Sequence, residues 1–399
     1  MKVLQLCNKP PYPPVDGGTL AMNSITQGLL SEGCEVRVLS LCSDKHPVLE
    51  SSMTETYLKA TRFEAVKIDL GIHPIDAGVA VLCGESYHVK RFISKAFATR
   101  LMQVLEEECF DVVHVESVFL TPYVPIIRRH SDAKVVLRAH NVEHTIWQRV
   151  AQSERNPFKK WYLKHLSLTL AAYEREHLND YDAVVSITNN DAQKMREMGC
   201  RRPMLSIPFG ITPETDVQVD EEPDSLFHLG SMDWMPNQEG VRWFLKQVWP
   251  LIHQSMPQLT LYLAGRKMPD DLMRLQQEGV KVVGEVPDAM YFIASKQINV
   301  VPLLSGSGIR VKIIEAMSAG KVVVTTSIGA EGIGCTDGKN VLIADTPQQF
   351  VAQLQRCVND PEFRRQIGAN AAQMIVEQYG NEQLTRQLLD FYNQIVNRD

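Results

Sequence analysis

The sequence predicts an α/β protein of two Rossmann-like domains, each a parallel sheet covered by helices. Two observations carry that prediction. Short apolar, β-branched runs alternate with longer helical patterns from residue 3 onward, as in βαβ units, and the alternation restarts once past the middle of the chain. Between the two series lies 214–224, which holds six acidic residues, no basic ones, and prolines at Pro213 and Pro223. Such a stretch reads as a solvated linker. A length of 399 residues suits two domains that each bury a core.

Taken in order, the first series places strands at 3–7, 36–41, 66–70, 112–115, 135–139 and 183–187. Helices fall between most of them, including 19–31, closed by Gly33, and 89–108. The second series places strands at 226–229, 259–264, 280–283, 298–302, 322–326 and 341–343. Beyond that the pattern is only helical, at 347–358, 361–377 and 382–396. The expected divisions are 1–208, 209–380 and a last segment 381–399. Two such sheets facing each other would bring the carboxyl ends of their strands to one cleft, where open α/β sheets bind ligands. Residues that directly follow strands are therefore the first candidates for chemistry.

Composition removes several classes. With 44% hydrophobic and 22% charged residues the chain is ordinary globular material. Forty-one basic against 47 acidic residues give a net charge of -6, which argues against a nucleic-acid surface. The eight cysteines form no C-x-x-C pair, so reduced thiols and a cytoplasmic setting are expected. No apolar run is long enough for a signal peptide core or a membrane span.

The strongest motif is the run from Val300 to Gly320, in which a strand leads through Gly306-Ser307-Gly308 into a helix. Backbone N–H groups at such a helix start can cradle a phosphate, with the dipole in support. Arg310 and Lys312 add charge beside it, and Glu315 is placed to accept hydrogen bonds from a ribose diol. The plainer alternative is a tight turn before a solvated basic helix start. Gly17-Gly18, after the first strand, either lets backbone approach a ligand or makes a turn.

His140-Asn141-Val142-Glu143-His144 matches an inverted zincin pattern. His140 ends a strand, however, so the two rings should diverge and no metal site is expected. Asp180-Tyr181-Asp182 precedes its strand and reads as a turn leading into it. Two basic-aromatic segments, Arg155, Lys159, Lys160 and Lys164 with Phe158, Trp161 and Tyr162, and Lys90, Arg91, Lys95 and Arg100 with Phe92, Ile93 and Phe97, fit either half-buried helices or an anionic membrane surface.

With these segments placed, the chain resembles the family 4 glycosyltransferases of the GT-B fold over nearly its whole length. The matching pieces are Pro10-Pro11-Tyr12-Pro13-Pro14 leading to Gly17-Gly18, His140-Asn141 after a strand, Ile207-Pro208-Phe209-Gly210-Ile211, the segment from Gly230 to Asn237, and the segment from Gly306 to Gly320. The resemblance implies a donor site for a nucleotide sugar in the C-terminal domain and an acceptor site in the N-terminal domain. It also implies a last helix crossing back to the N-terminal domain, and transfer with retention of configuration and without a metal or other cofactor.

The family's E-x7-E pair keeps its second member as Glu315 but has Ser307 at the first position, and the segment from Gly230 to Asn237 lacks the family's cations. The diphosphate role therefore passes to Arg310 and Lys312, with Arg266 in reserve. Gly17, Gly18, Gly306, Ser307 and Gly308 complete the donor contacts, and His140 faces the donor sugar. The implied partners are a nucleotide-sugar donor and a glycan or lipid-linked acceptor in cell-surface polysaccharide or glycolipid synthesis, at the inner face of the membrane. A nucleotide-sugar epimerase on the same fold and a non-catalytic sugar-binding module are the rival readings.

Overall fold

The computed structural model describes residues 1–14, 16–71, 73–154, 156–211, 219–305 and 310–397. The chain divides into two compact units, Met1–Gly210 with Asn381–Asp399, and Ile211–Gly380.

The first unit carries seven strands: β1 (Lys2–Cys7), β2 (Glu35–Cys42), β3 (Glu64–Lys67), β4 (Val112–Val115), β5 (Lys134–Ala139), β6 (Ala183–Ser186) and β7 (Met204–Ser206). All pairings are parallel, in the order β3-β2-β1-β4-β5-β6-β7. The central strands β1, β4 and β5 read as apolar runs, interrupted only at Gln5, His114 and Arg138, because both faces of a parallel sheet are covered. On one face Leu4, Leu6, Val113, Val115 and Leu137 meet Phe97, Leu101 and Val104 of the helix Lys95–Glu107. On the other, Val3, Val36, Val38, Val112 and Val136 meet Met22, Ile25 and Leu29 of the helix Gly17–Ser31 and Leu384, Leu388 and Tyr392 of the helix Asn381–Val396.

Those last two helices lie close together for a local reason. A Cβ at Gly28 would fall 2.0 Å from Thr385 Oγ1, so only glycine permits the approach. Asn381 Nδ2 donates to Ser24 O at 3.0 Å, and Arg386 Nε to Glu32 Oε1 at 3.0 Å. The C-terminal helix is thus an integral layer of the first unit.

The second unit holds six parallel strands: β8 (Ser225–Leu229), β9 (Thr260–Ala264), β10 (Val280–Gly284), β11 (Ile298–Val301), β12 (Val322–Thr325) and β13 (Leu342–Ile343), ordered β10-β9-β8-β11-β12-β13. Its core gathers Leu226, Leu261, Leu263, Val300 and Val324 against Phe244, Trp249, Ile252, Phe350 and Leu354. In both sheets the strand order reverses beside the first strand, between β1 and β4 and between β8 and β11. Such a reversal is where ligands bind in this class of sheet.

Three departures from the sequence reading have physical causes. The edge strand β7 is only three half-buried residues and gives no apolar run. The expected strand 66–70 is found at Glu64–Lys67 on the other edge, where one side is less buried and the pattern is weak. The expected helix 89–108 is split. Ser94 starts a new helix by accepting from Phe97 N, while its own N–H donates to Tyr123 Oη at 2.8 Å. Tertiary bonding there outweighs helical periodicity. No described helix is long and apolar enough to cross a membrane.

Candidate active site

In the second unit the site grows from β8 and β11. His228, on β8, is 2% exposed, and its Nδ1 donates to Val300 O on β11 at 2.8 Å. Nε2 is therefore left as a buried acceptor without a partner among the described residues. Burial, then the Lys312 charge, pushes this imidazole down to about 3 despite the bond to Val300, so it is neutral. The chain then turns at Gly230, where a Cβ would lie 2.9 Å from Asn237 Nδ2, 3.2 Å from Lys312 Nζ and 3.3 Å from His228 Nε2. Three polar groups thus converge on the space beside one glycine. The neighbouring turn after β9 is held as close: Gly265 has φ +148, and a Cβ there would fall 1.8 Å from Gly230 O.

Lys312 belongs to the helix Val311–Ser318 that follows β11. Its ammonium hydrogen-bonds Asn237 Oδ1, whose Nδ2 donates to Ser231 O at 2.7 Å, and it lies 5.9 Å from the Trp234 ring centre. The loop from Gly230 to Asn237 carries no cation of its own, and Lys312 reaches into it from the next strand's helix. Burial, and to a smaller extent Arg310, lowers this ammonium to about 7.

One turn on, Glu315 shares the face of Lys312. It is half-buried, its carboxylate has no hydrogen-bond partner among the described residues, and burial raises its pKa. Arg310 caps the helix, is 3% exposed, and donates from Nη2 to Ile328 O at 2.9 Å. Arg266, after β9, is exposed and lies within the field of Asp233. Gly306, Ser307 and Gly308 lie outside the described residues.

In the first unit Gly17 and Gly18 form the first turn of the helix after β1. That helix is capped by Asp16, which accepts from Thr19 N at 2.8 Å and pairs with Lys9 Nζ at 2.7 Å. His140 follows β5, and its Nε2 lies 2.9 Å from Glu116 Oε2 at the end of β4. Glu116 is fully buried. Gln5 Nε2 donates to its Oε1 at 2.6 Å, and His114 Nε2 stands 3.2 Å from the same oxygen. Burial opposes ionisation, yet the rings of His114 and His140 hold the carboxyl well below the usual range.

His144 turns elsewhere: its Nδ1 lies 2.6 Å from Glu174 Oε2, and Glu174 also accepts from the N–H groups of Glu143 and His144 at 2.8 and 3.0 Å. The two rings of the H-x-x-E-H segment thus pair with different carboxylates, and Glu174 serves as a cap for the helix Glu143–Ser153. Glu143 itself is raised to about 7, by burial and then by Glu174. Among the described residues no group of three His, Cys, Asp or Glu could hold a metal ion.

The two basic-aromatic segments part company. Phe158 is 85% exposed and Trp161 62% exposed on the helix Pro157–His177. Phe97 is instead fully buried, and Arg100 is bound to Glu64 and Glu107, so the second segment is largely structural. Gln5, Glu116 and His228 were not reached from the sequence, and Asn237 only as the end of the segment that begins at Gly230. A charged residue directly after an apolar strand, as at Glu116, was the available signal.

A glycosyl transferase 4-like domain model matches residues 16–210, and a glycosyl transferases group 1 model matches residues 223–360. Together they take in most of the chain, which belongs to the family 4 type of glycosyltransferases with the GT-B fold. It is a glycosyltransferase enzyme.

A Klebsiella pneumoniae protein described as an uncharacterized 44.6 kDa protein in the cps region is 24% identical over 298 residues, 72% of this chain and 75% of that one. Among solved structures, HepE of Anabaena in complex with UDP has a TM-score of 0.66 at 16% identity, covering 99% of this chain and 100% of that one. Sucrose-phosphate synthase of Thermosynechococcus elongatus has a TM-score of 0.69 at 15% identity, covering 99% of each chain.

Proposed function

We propose that this glycosyltransferase moves a sugar from a nucleoside diphosphate to a hydroxyl acceptor with retention of configuration, in cell-surface polysaccharide or glycolipid synthesis. The observation that carries the reading is the pair on one face of the helix Val311–Ser318. There a half-buried ammonium at Lys312 and a carboxylate at Glu315 without a partner among the described residues stand beside the reversal point of the sheet. A diphosphate answers the first and a ribose diol the second. In this reading Arg310, Arg266 and residues 306–308 complete the diphosphate contacts, and His140 with Gly17 and Gly18 supplies the N-terminal contribution to the donor sugar.

In the transfer, the acceptor oxygen bonds to the anomeric carbon on the face that the leaving group quits. The bond from that carbon to the diphosphate oxygen breaks, and that oxygen takes the acceptor proton. The diphosphate carries the developing charge, so fixed donors and cations there lower the barrier. No side-chain base and no metal is needed for this course. The cps-region setting of the Klebsiella relative supports the polysaccharide assignment. The exposed Phe158 and Trp161 beside Lys160 and Lys164 support a peripheral contact with the inner membrane face, where a lipid-linked acceptor would lie.

Thermal unfolding with UDP, GDP, dTDP or ADP tests the reading. A true ligand at 100 times its Kd adds about 2.7 kcal/mol of stability, so one diphosphate should raise the transition clearly while its nucleoside does less. Stabilisation by free sugars alone, with none by any nucleotide, would refute it.

A further inference from the structure

Parallel pairing sets Gln5 on β1 opposite His114 on β4, and His114 opposite Val136 on β5. Two residues further along, Glu116, Arg138 and then His140 fall on that same face, the one covered by the helices Gly17–Ser31 and Asn381–Val396. Glu116 and Arg138 are 0% exposed. This polar row crosses three strands at the reversal point of the sheet, inside an otherwise apolar layer. The hydrogen bonds that meet Glu116 have directions that can be worked out.

Met22 O can only accept, which fixes the Gln5 amide: its Nε2 donates to Met22 O at 3.0 Å and to Glu116 Oε1 at 2.6 Å, and its Oε1 accepts from Thr26 Oγ1 at 2.6 Å. Tyr392, from the C-terminal helix, bonds His114 Nδ1, and the other ring nitrogen faces Glu116. Arg138 Nη2 donates to Pro208 O at 3.2 Å and adds positive field at the carboxylate. Glu116 is thereby an ionised, acceptor-only group. Its second oxygen, Oε2, meets His140 Nε2, so that nitrogen must carry the proton. His140 Nδ1 has no hydrogen-bond partner among the described residues, and its side chain is 16% exposed.

We propose that Glu116 is a positioning residue for transfer: it holds the His140 ring as the Nε2–H tautomer, so that Nδ1 is offered as an acceptor and selects a sugar hydroxyl over a phosphate oxygen. A phosphate oxygen only accepts and would meet a lone pair there; a hydroxyl donates to it. This inference rests on the assignment of His140 to the donor sugar.

The test uses the full-length protein labelled with 15N-histidine, with the His140 signal assigned by its loss in His140→Gln. Long-range proton–nitrogen spectra of the parent should show Nε2 protonated and Nδ1 bare. A proton on Nδ1, in the other tautomer or in an imidazolium, would overturn the proposal, and this arm needs no variant of Glu116 to fold. In Glu116→Gln the amide oxygen stays towards Gln5 and the new NH2 group faces His140, so the ring should switch to Nδ1–H; Glu116→Asp should keep Nε2–H. An unchanged tautomer in Glu116→Gln would show that Glu116 does not hold it.

With UDP-glucose as the probe, release of UDP by Glu116→Gln should fall roughly 10- to 100-fold, the scale for losing a group that orients a working histidine. UDP affinity should stay within twofold, and Glu116→Asp should recover most of the rate. A switched tautomer with an unchanged rate would remove the selecting role. His140→Ala separates the two ideas, because undiminished turnover in that variant would end the His140 assignment while leaving the tautomer result intact.

Discussion

Glu315 and Lys312 sit one helical turn apart and face opposite electrostatic difficulties, since burial favours the neutral form of each. A bound nucleotide relieves both. Glu315→Gln should therefore weaken nucleotide binding by about 1.5–3 kcal/mol, the range for charge-assisted hydrogen bonds, with thermal stability of the free protein unchanged or slightly raised. Titration calorimetry that finds affinity within twofold of the parent would exclude the ribose role. For Lys312, lowered to about 7 in the free protein, a diphosphate binds the ammonium and raises its pKa. Affinity is then complete below pH 7 and declines as pH rises towards 9, with proton uptake at pH 8 that shows as a buffer-dependent heat. The ligand's own last ionisation, near pH ~6 for a phosphate, acts below this window. Lys312→Arg should flatten the profile, because a guanidinium stays charged. A Lys312→Met variant should lose affinity for the diphosphate and not for the nucleoside.

The strand-to-helix elements place these side chains, and the closest fit among them is between the turns after β8 and β9. Gly265 has a backbone that L residues rarely adopt, and the Gly230 carbonyl leaves no room for a methyl group. Gly265→Ala should cost more than about 2 kcal/mol of unfolding free energy and disturb the Lys312 pocket, seen as lower melting temperature together with weaker nucleotide binding. Much at this scale was legible in the sequence. Eleven of the strands announce themselves as apolar runs, the two edge strands β3 and β7 being the exceptions, and the helix carrying Lys312 and Glu315 follows from its place after a strand. What was hidden depends on register across strands. Nothing in residue spacing says that Gln5, Glu116 and His140 share one face, or that Lys312 fills the loop between Gly230 and Asn237. The split at Ser94 was hidden for the same reason, because its cause is Tyr123, 29 positions away.

At the scale of the molecule, the first six strands of each unit follow the same order, with β7 added in the first, and the chain passes from one unit to the other at Gly210–Ile211 and again at Gly380–Asn381. Met1 and Val396 both pack against one apolar cluster of the first unit, so its two pieces can be rejoined. A permuted protein that begins at Asn381, runs through Asp399 and a short glycine-serine linker into Met1, and ends at Gly380 should fold and bind the same nucleotide. A fragment of residues 1–210 alone should aggregate, because Val3, Met22, Ile25 and Leu29 lose the cover of Leu384, Leu388 and Tyr392. Light scattering and tryptophan fluorescence would decide both. The docking of that final helix also sets an order in time. On the ribosome the unit that starts first is completed last, after every residue of the other unit has been made, and until then the buried ring of His114 lacks its Tyr392 partner. Chains released early would expose that unfinished layer.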